Sequence, residues 1–412
     1  MQLKLKKEKV IVIILLIFAV GNATLRFTDN GMSVWYRILS PLFVSIYFFK
    51  YITKLKKGFL LMLLVMLYSI CVSKFFYNKI LIEYHIHIIY IYICYILVKV
   101  YMFNSKNFED SFFKFLDVVT RISLILCTIQ YFFRNKYPHV REVVYPGVNI
   151  FMWNENELAM PLGLMFILYL YRGLILKKNK SILKIILISI ILYINDAKLT
   201  IIGIGLGIIL LFVYYFEIKK NKRKVKARLY MMIVILILVF FNLLIYKIDP
   251  TIQFRNYKIT LQELLYTPIK HILTLTPFPD TGASIVVRTN AIIYGIQELL
   301  KSNLFGIGFG NTTTMLSDKK YILTTAKSMH NLFFQLLCEF GYLIIGIYIL
   351  GLNWIRKNSV YIFKIPNIFF KIMTIFIFII ISSQSSIGIL SNYYVWIIIF
   401  YIILLSNRNQ KI

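Results

Sequence analysis

Val395-Trp-Ile-Ile-Ile-Phe-Tyr-Ile-Ile-Leu-Leu405 is eleven consecutive residues without a charge, and Val10–Val20 and Met231–Phe241 read the same way. About a dozen such runs punctuate the 412 residues, and no aqueous core could bury them all. Apolar residues make up 59% of the chain and charged residues 16%, whereas a soluble domain carries about a quarter charged. A soluble enzyme, a secreted disulfide scaffold and a disordered chain are therefore excluded. The net charge of +30 would by itself point to a nucleic-acid binder, but the apolar runs override it.

Working outward from these runs, windows of about 20 residues place spans near 10–26, 32–49, 58–74, 84–103, 112–133, 155–176, 181–196, 198–216, 229–248, 330–353, 360–382 and 387–406. The expected fold is all-α and polytopic, with about 12 transmembrane helices. The break at Asn195–Lys198 reads either as a turn or as a kink. With the N-terminus inside, the cytoplasmic segments hold 29 Lys and Arg and the short outer loops 8. That bias alternates with every turn and places both termini in the cytoplasm. Residues 1–248 thus carry nine spans, 249–329 form one large extracytoplasmic loop, and 330–412 carry three more.

The loop at 249–329 holds Pro250, Pro268, Pro277 and Pro279 and two amphipathic stretches, Ile259–Tyr266 and Val286–Leu300. It reads as a segment lying on the membrane surface or as a lid over an outward-facing site. Cys71, Cys94, Cys127 and Cys338 sit inside apolar runs, so neither a disulfide framework nor a zinc site is expected. His85 and His87 point to different faces of one helix and read as packed interior residues. Gly306, Gly308 and Gly310 lack the lysine of a phosphate-cradling loop.

What remains is a set of outer-face cations and polar groups: Arg141, Lys198 beside Asp196, Arg288, His330 with Asn331, and Glu339. Guanidinium groups grip phosphate bidentately, so arginines outside with no nucleotide motif inside suggest an anionic lipid-linked substrate, such as a lipid pyrophosphate. The bland alternative is that they anchor to lipid headgroups. An ideal helix puts His330 and Glu339 on opposite sides, which argues against a simple dyad.

Arg288-Thr-Asn-Ala-Ile-Ile-Tyr-Gly-Ile-Gln-Glu-Leu-Leu-Lys-Ser-Asn-Leu-Phe-Gly-Ile-Gly-Phe-Gly-Asn311 is followed by His330-Asn-Leu-Phe-Phe-Gln-Leu-Leu-Cys-Glu-Phe-Gly-Tyr-Leu-Ile-Ile-Gly346. Together they resemble the bacterial O-antigen ligase and polymerase superfamily, with its arginine, glycine turn and His-Asn…Glu-x-Gly block. Asn154-Glu-Asn156-Glu-Leu-Ala is similar to a further family element; Asp196-Ala-Lys198 departs from the family's Ser-Lys/Arg turn by losing the serine. The resemblance implies metal-independent glycosyl transfer, without a cofactor, on the outer face of a bacterial plasma membrane. The donor would be an undecaprenyl-pyrophosphate-linked glycan, and a flippase and a chain-length regulator would be partners. It also implies catalytic roles for Arg288 and His330, pyrophosphate contacts from Arg141, substrate-binding roles for Lys198, Asn331 and Glu339, and a turn-forming role for the glycines. Polymerisation of repeat units into capsular or O-antigen polysaccharide is the reading taken. Transfer to a lipid or wall acceptor, and a flippase or transporter, are the alternatives; no half-to-half repeat supports the last.

Overall fold

The computed structural model describes residues 10–19, 56–77, 80–133, 148, 150, 155–178, 181–219, 251–254, 257–278, 284–317, 329–362, 364–384, 390 and 392–405. The spans expected at 32–49 and 229–248, and Arg141, lie outside them. The helices are α1 (Val10–Ala19), α2 (Lys56–Val72, ending in a wide turn, Ser73–Tyr77), α3 (Ile82–Asn104), α4 (Phe108–Phe132), α5 (Glu155–Leu174), α6 (Ile182–Ile194) and α7 (Lys198–Lys219). There follow α8 (Leu261–Thr274), α9 (Ser284–Lys301), α10 (Asn311–Leu316), α11 (Leu332–Phe340), α12 (Tyr342–Ser359), α13 (Pro366–Ile381) and α14 (Tyr393–Leu404).

Four of these stretches, Gly58–Tyr77, Tyr84–Asn104, Glu155–Leu174 and Lys198–Phe216, are long and apolar enough to cross a membrane, and four shorter helices are also apolar. Leu60, Leu61, Leu64 and Leu67 on α2, and Ile347, Leu350 and Leu352 on α12, are exposed. Those faces suit hydrocarbon rather than water.

Two expectations change and one open reading is resolved. The chain is not wholly α: Thr251–Phe254 and Tyr257–Thr260 pair antiparallel, with Thr251 opposite Thr260 and Phe254 opposite Tyr257. The span expected at 330–353 is two helices, broken at Gly341, whose φ is +49°. And the break at Asn195–Lys198 is a turn between α6 and α7, with Asp196 in the left-handed region at φ +49°.

The chain forms two compact units. One comprises Met1–Tyr68, Ile82–Ile208 and Asn353–Ile412; the other joins Ser69–Leu81 to Ile209–Leu352. The first is organised around α5, almost all of which is buried. Pro161 inside α5 has no N–H, so the carbonyl of Glu157, four residues back, loses its helical partner. Asn392 replaces it, donating from Nδ2 to that carbonyl at 2.7 Å while its side-chain oxygen accepts from Val395 N and caps α14.

Two acids of α4 are matched to cations. Asp110, at the start of α4, bonds Arg172 at 2.5 Å and Lys178 at 3.0 Å. Burial acts to raise its carboxyl, but hydrogen bonds from Arg172, Lys178 and Asn107 outweigh it and hold the group down at about 2. Asp117 pairs with Lys184 and with Arg121, and accepts from the Tyr169 hydroxyl at 2.7 Å. These bonds tie α4 to α5 and α6. At other ends of the same helices, Asn195 accepts from Val148 N at 2.8 Å and donates to the carbonyls of Val148 and Glu155. Gln130 accepts from Ile150 N at 2.7 Å. The approach to α5 is thereby fixed by α4 and α6.

Asn392→Ala is expected to lower stability by about 1–3 kcal/mol, because a buried carbonyl loses its donor. In a Pro161→Ala background the residue at 161 regains an N–H for Glu157, and the cost should fall to that of the lost cap, about 1 kcal/mol. Thermal unfolding of the four proteins in detergent measures the coupling; equal costs in both backgrounds would refute the pairing.

Candidate functional site

The second unit holds Arg288, the glycine turn, His330, Asn331 and Glu339. Its core is Ala291 of α9, Ile307 of the turn, Met315 and Leu316 of α10, Met329, and Cys338 of α11, with Tyr77 and Tyr294 packed against it.

After α9, the chain runs through Leu304–Gly310 alongside the end of α11. Ile307 N donates to Cys338 O at 3.0 Å, Gly308 N to Glu339 O at 2.9 Å, and Tyr342 N to Leu304 O at 2.9 Å. The last bond explains the broken span: the Tyr342 amide leaves the helical ladder to reach Leu304, so α11 stops. The approach is close enough that a Cβ on Gly341 would strike Leu304 O. Gly308, at φ +86°, lies against Ser73 with no room for a methyl group. Phe309 N also donates to Ser69 Oγ at 3.0 Å, fixing the turn to the end of α2.

This clasp sets the direction of both helices. The C-terminal ends of α9 and α11 meet at the glycine turn, so the two helices run parallel and their N-terminal ends lie on the same side. Arg288 occupies the start of α9, and His330-Asn331 immediately precedes α11. The faces agree as well. Arg288 and Gly295 are seven positions apart, roughly 700° of helical rotation, so they share one stripe. Gly295 on that stripe meets Met329, just before α11, and Cys338, within it. Arg288 therefore projects from the side of α9 that faces α11, one rise of about 10 Å beyond Gly295.

His330 is half-buried and adopts φ +51°, a left-handed conformation uncommon for a residue with a side chain. Such strain persists only where the surroundings fix it. On one side Met329 is buried in the core. On the other, Asn331 caps α11, its side-chain oxygen accepting from Phe333 N at 3.1 Å and Phe334 N at 3.2 Å. Cap and core together aim the imidazole, and leave a positively polarised helix end beside it.

The remaining expected site residues are placed differently. Lys198 belongs to the first unit, exposed at the turn before α7 and 3.2 Å from Asp196. Arg141 lies outside the described residues. Glu339 is fully buried, about 13 Å of helical rise from His330. Its Oε1 accepts from the Thr312 hydroxyl and from Gln335 Nε2 at 3.0 Å. Expected among the substrate-binding groups, it lies under the clasp instead, at the opposite end of α11 from His330.

Asn290 went unnoticed in the sequence. It is buried on α9, two residues from Arg288, and holds both backbone groups of Phe278: it accepts from Phe278 N at 2.7 Å and donates to Phe278 O at 3.1 Å. Gln297 donates to Leu275 O at 3.0 Å, so the turn after α8 is stitched to the helix that carries Arg288. An Asn two residues after the arginine was the available signal, but nothing in the sequence named its partner.

Gly308→Ala combines a left-handed residue, about 1–2 kcal/mol, with overlap in a packed region, about 1–3 kcal/mol. It should sharply reduce folded protein in the membrane. Gly346→Ala, where a Cβ meets nothing, is expected to be neutral. Equal yields of the two in fluorescence-detected size exclusion would contradict the clasp.

No curated protein and no solved structure matches the chain. The family model described as O-antigen ligase matches residues 183–349, which include Lys198, Arg288, the glycine turn, His330, Asn331 and Glu339. That stretch, which carries the clasp and both residues at its open end, is thus similar to the O-antigen ligase family.

Proposed function

We propose that the protein polymerises undecaprenyl-pyrophosphate-linked oligosaccharide repeat units on the outer face of the plasma membrane. The observation that carries this reading is the parallel packing of α9 and α11, which brings Arg288 and His330 to the same end of one compact unit. A guanidinium and a capped helix N-terminus suit a pyrophosphate, since both favour an anion at that end. The imidazole beside them suits an acceptor hydroxyl.

In this reading the acceptor oxygen forms a bond to the anomeric carbon of the donor glycan as the bond from that carbon to the phosphate oxygen breaks. His330 takes the proton from the hydroxyl. Arg288 stabilises the charge that collects on the departing pyrophosphate lipid. Arg141 and Lys198 are proposed as further cations toward the pyrophosphate. Asn331 acts by capping α11, and Glu339 acts through the clasp. The topology proposed with this function is twelve spans with both ends inside and 249–329 outside.

Ligation is the second reading, because the matching family model is described as O-antigen ligase. It uses the same donor and the same two residues, and differs only in the acceptor. Arg288→Ala and His330→Ala should each abolish high-molecular-weight polysaccharide, by at least a hundredfold if Arg288 acts as a charge-stabilising donor, while leaving the protein's membrane level unchanged. Polymer of normal length from both variants would overturn the proposal. If polymer still grew on the lipid carrier and only its transfer to the final acceptor were lost, ligation would replace polymerisation.

A further inference from the structure

The cluster beneath the glycine turn is an unusual place for an acid. Ser69, Ser73, Asn311, Thr312, Gln335 and Glu339 are all buried there. The donors reach one side of the Glu339 carboxyl group only. Oε1 accepts from the Thr312 hydroxyl and from Gln335 Nε2, whereas Oε2 is buried without a hydrogen-bond donor. On the neighbouring side chain, Oε1 of Gln335 is likewise a buried acceptor without a donor. The peptide N–H groups of Gly310 and Thr312 approach the carboxyl, yet no donor sits in bonding geometry on Oε2. Among the described residues, no Lys, Arg or His forms an ion pair with the carboxyl; a titratable neighbour is the buried Cys338 thiol on the same helix.

Two adjacent acceptors are therefore short of one proton. Gln335 and Glu339 are one helical turn apart, and the amide already donates to the carboxyl in one direction. A hydrogen on Oε2, donated to the Gln335 carbonyl, closes the reciprocal acid–amide pair and satisfies both orphaned oxygens at once. A buried charge without a counterion is far less favourable than a neutral acid with a partner. Oriented amides at the start of the short helix α10 offer partial charge only, and no cation.

We propose that Glu339 is a neutral carboxylic acid at physiological pH, paired reciprocally with Gln335, and that it is a positioning residue and not a substrate ligand. Its hydrogen bond from Thr312 holds α10 and the glycine turn against α11. Its own carbonyl receives Gly308 N. The proton thus belongs to the fixture that keeps α9 and α11 parallel, and the open end with Arg288 and His330 depends on it indirectly.

The test is infrared difference spectroscopy of the full-length purified protein at neutral pH, wild type against Glu339→Gln. The expected result is a protonated-carboxyl carbonyl band in the wild type that is lost in the variant. A carboxylate signature instead, or one that shifts when sodium is exchanged for potassium, would overturn the proposal in favour of an ionised group or a bound cation. This readout does not depend on which reaction the protein performs, so it stands or falls separately from the proposed polymerisation. Thermal unfolding supplies the second arm. Gln at 339 can form the same reciprocal pair, so Glu339→Gln should unfold at the wild-type temperature, and Glu339→Ala well below it. A Glu339→Gln protein as unstable as Glu339→Ala would also overturn the assignment.

Discussion

The exchange of backbone hydrogen bonds between Leu304–Gly308 and Cys338–Tyr342 is the constraint on which the second unit depends. It ends α11 by removing the Tyr342 amide from the helix, and it fixes the C-terminal ends of α9 and α11 side by side. Everything placed at the other ends of those helices inherits its position from this junction. The junction demands glycine because the two backbones touch and admit no side chain at 306 or 341, while Ser73 closes off 308. A sequence requirement for small residues is thus converted into a direction for two helices, whose other ends carry Arg288 and His330.

His330 shows how the strain is absorbed. A left-handed histidine is held between two commitments: the buried Met329 before it and the capping Asn331 after it. Neither neighbour needs to contact substrate to matter. Asn331 satisfies the first free amides of α11, which would otherwise have to be solvated. The adjacent pair His-Asn therefore divides into one residue that is presented and one that does the presenting.

Much of the fold could be read from the chain, and the reasons differ by element. Apolar runs such as 84–103 and 155–176 announced helices because only a helix satisfies its backbone without water. The glycine turn and the His-Asn pair were legible because their residue types are restricted by geometry. The split of the 330–353 span was not, since Gly341 in an apolar run looks like any membrane glycine until its partner, Leu304, is known. The small β-hairpin at 251–260 escaped because four-residue strands leave too short an alternation to register. The partners of Glu339 were hidden for a related reason: an acid inside an apolar helix signals function by default, and only three-dimensional contacts show that it faces Thr312 and Gln335.

The contrast between the acids of α4 and Glu339 gives the latter its meaning. In a chain with 47 basic and 17 acidic residues, a buried carboxylate has no shortage of possible counterions. Asp110 and Asp117 each have two, and Arg172 and Lys184 among them come from other helices, so the first unit uses charge to fix helix to helix. The second unit surrounds Glu339 with hydroxyls, amides and glycine backbone instead. Among the described residues, no basic side chain pairs with it at that point, where the backbones of 304–308 and 338–342 touch. A neutral acid is the polar group that can accept from Thr312, accept from Gln335 and donate back within that space, so the closeness of the clasp and the protonation of the acid follow from one geometric cause.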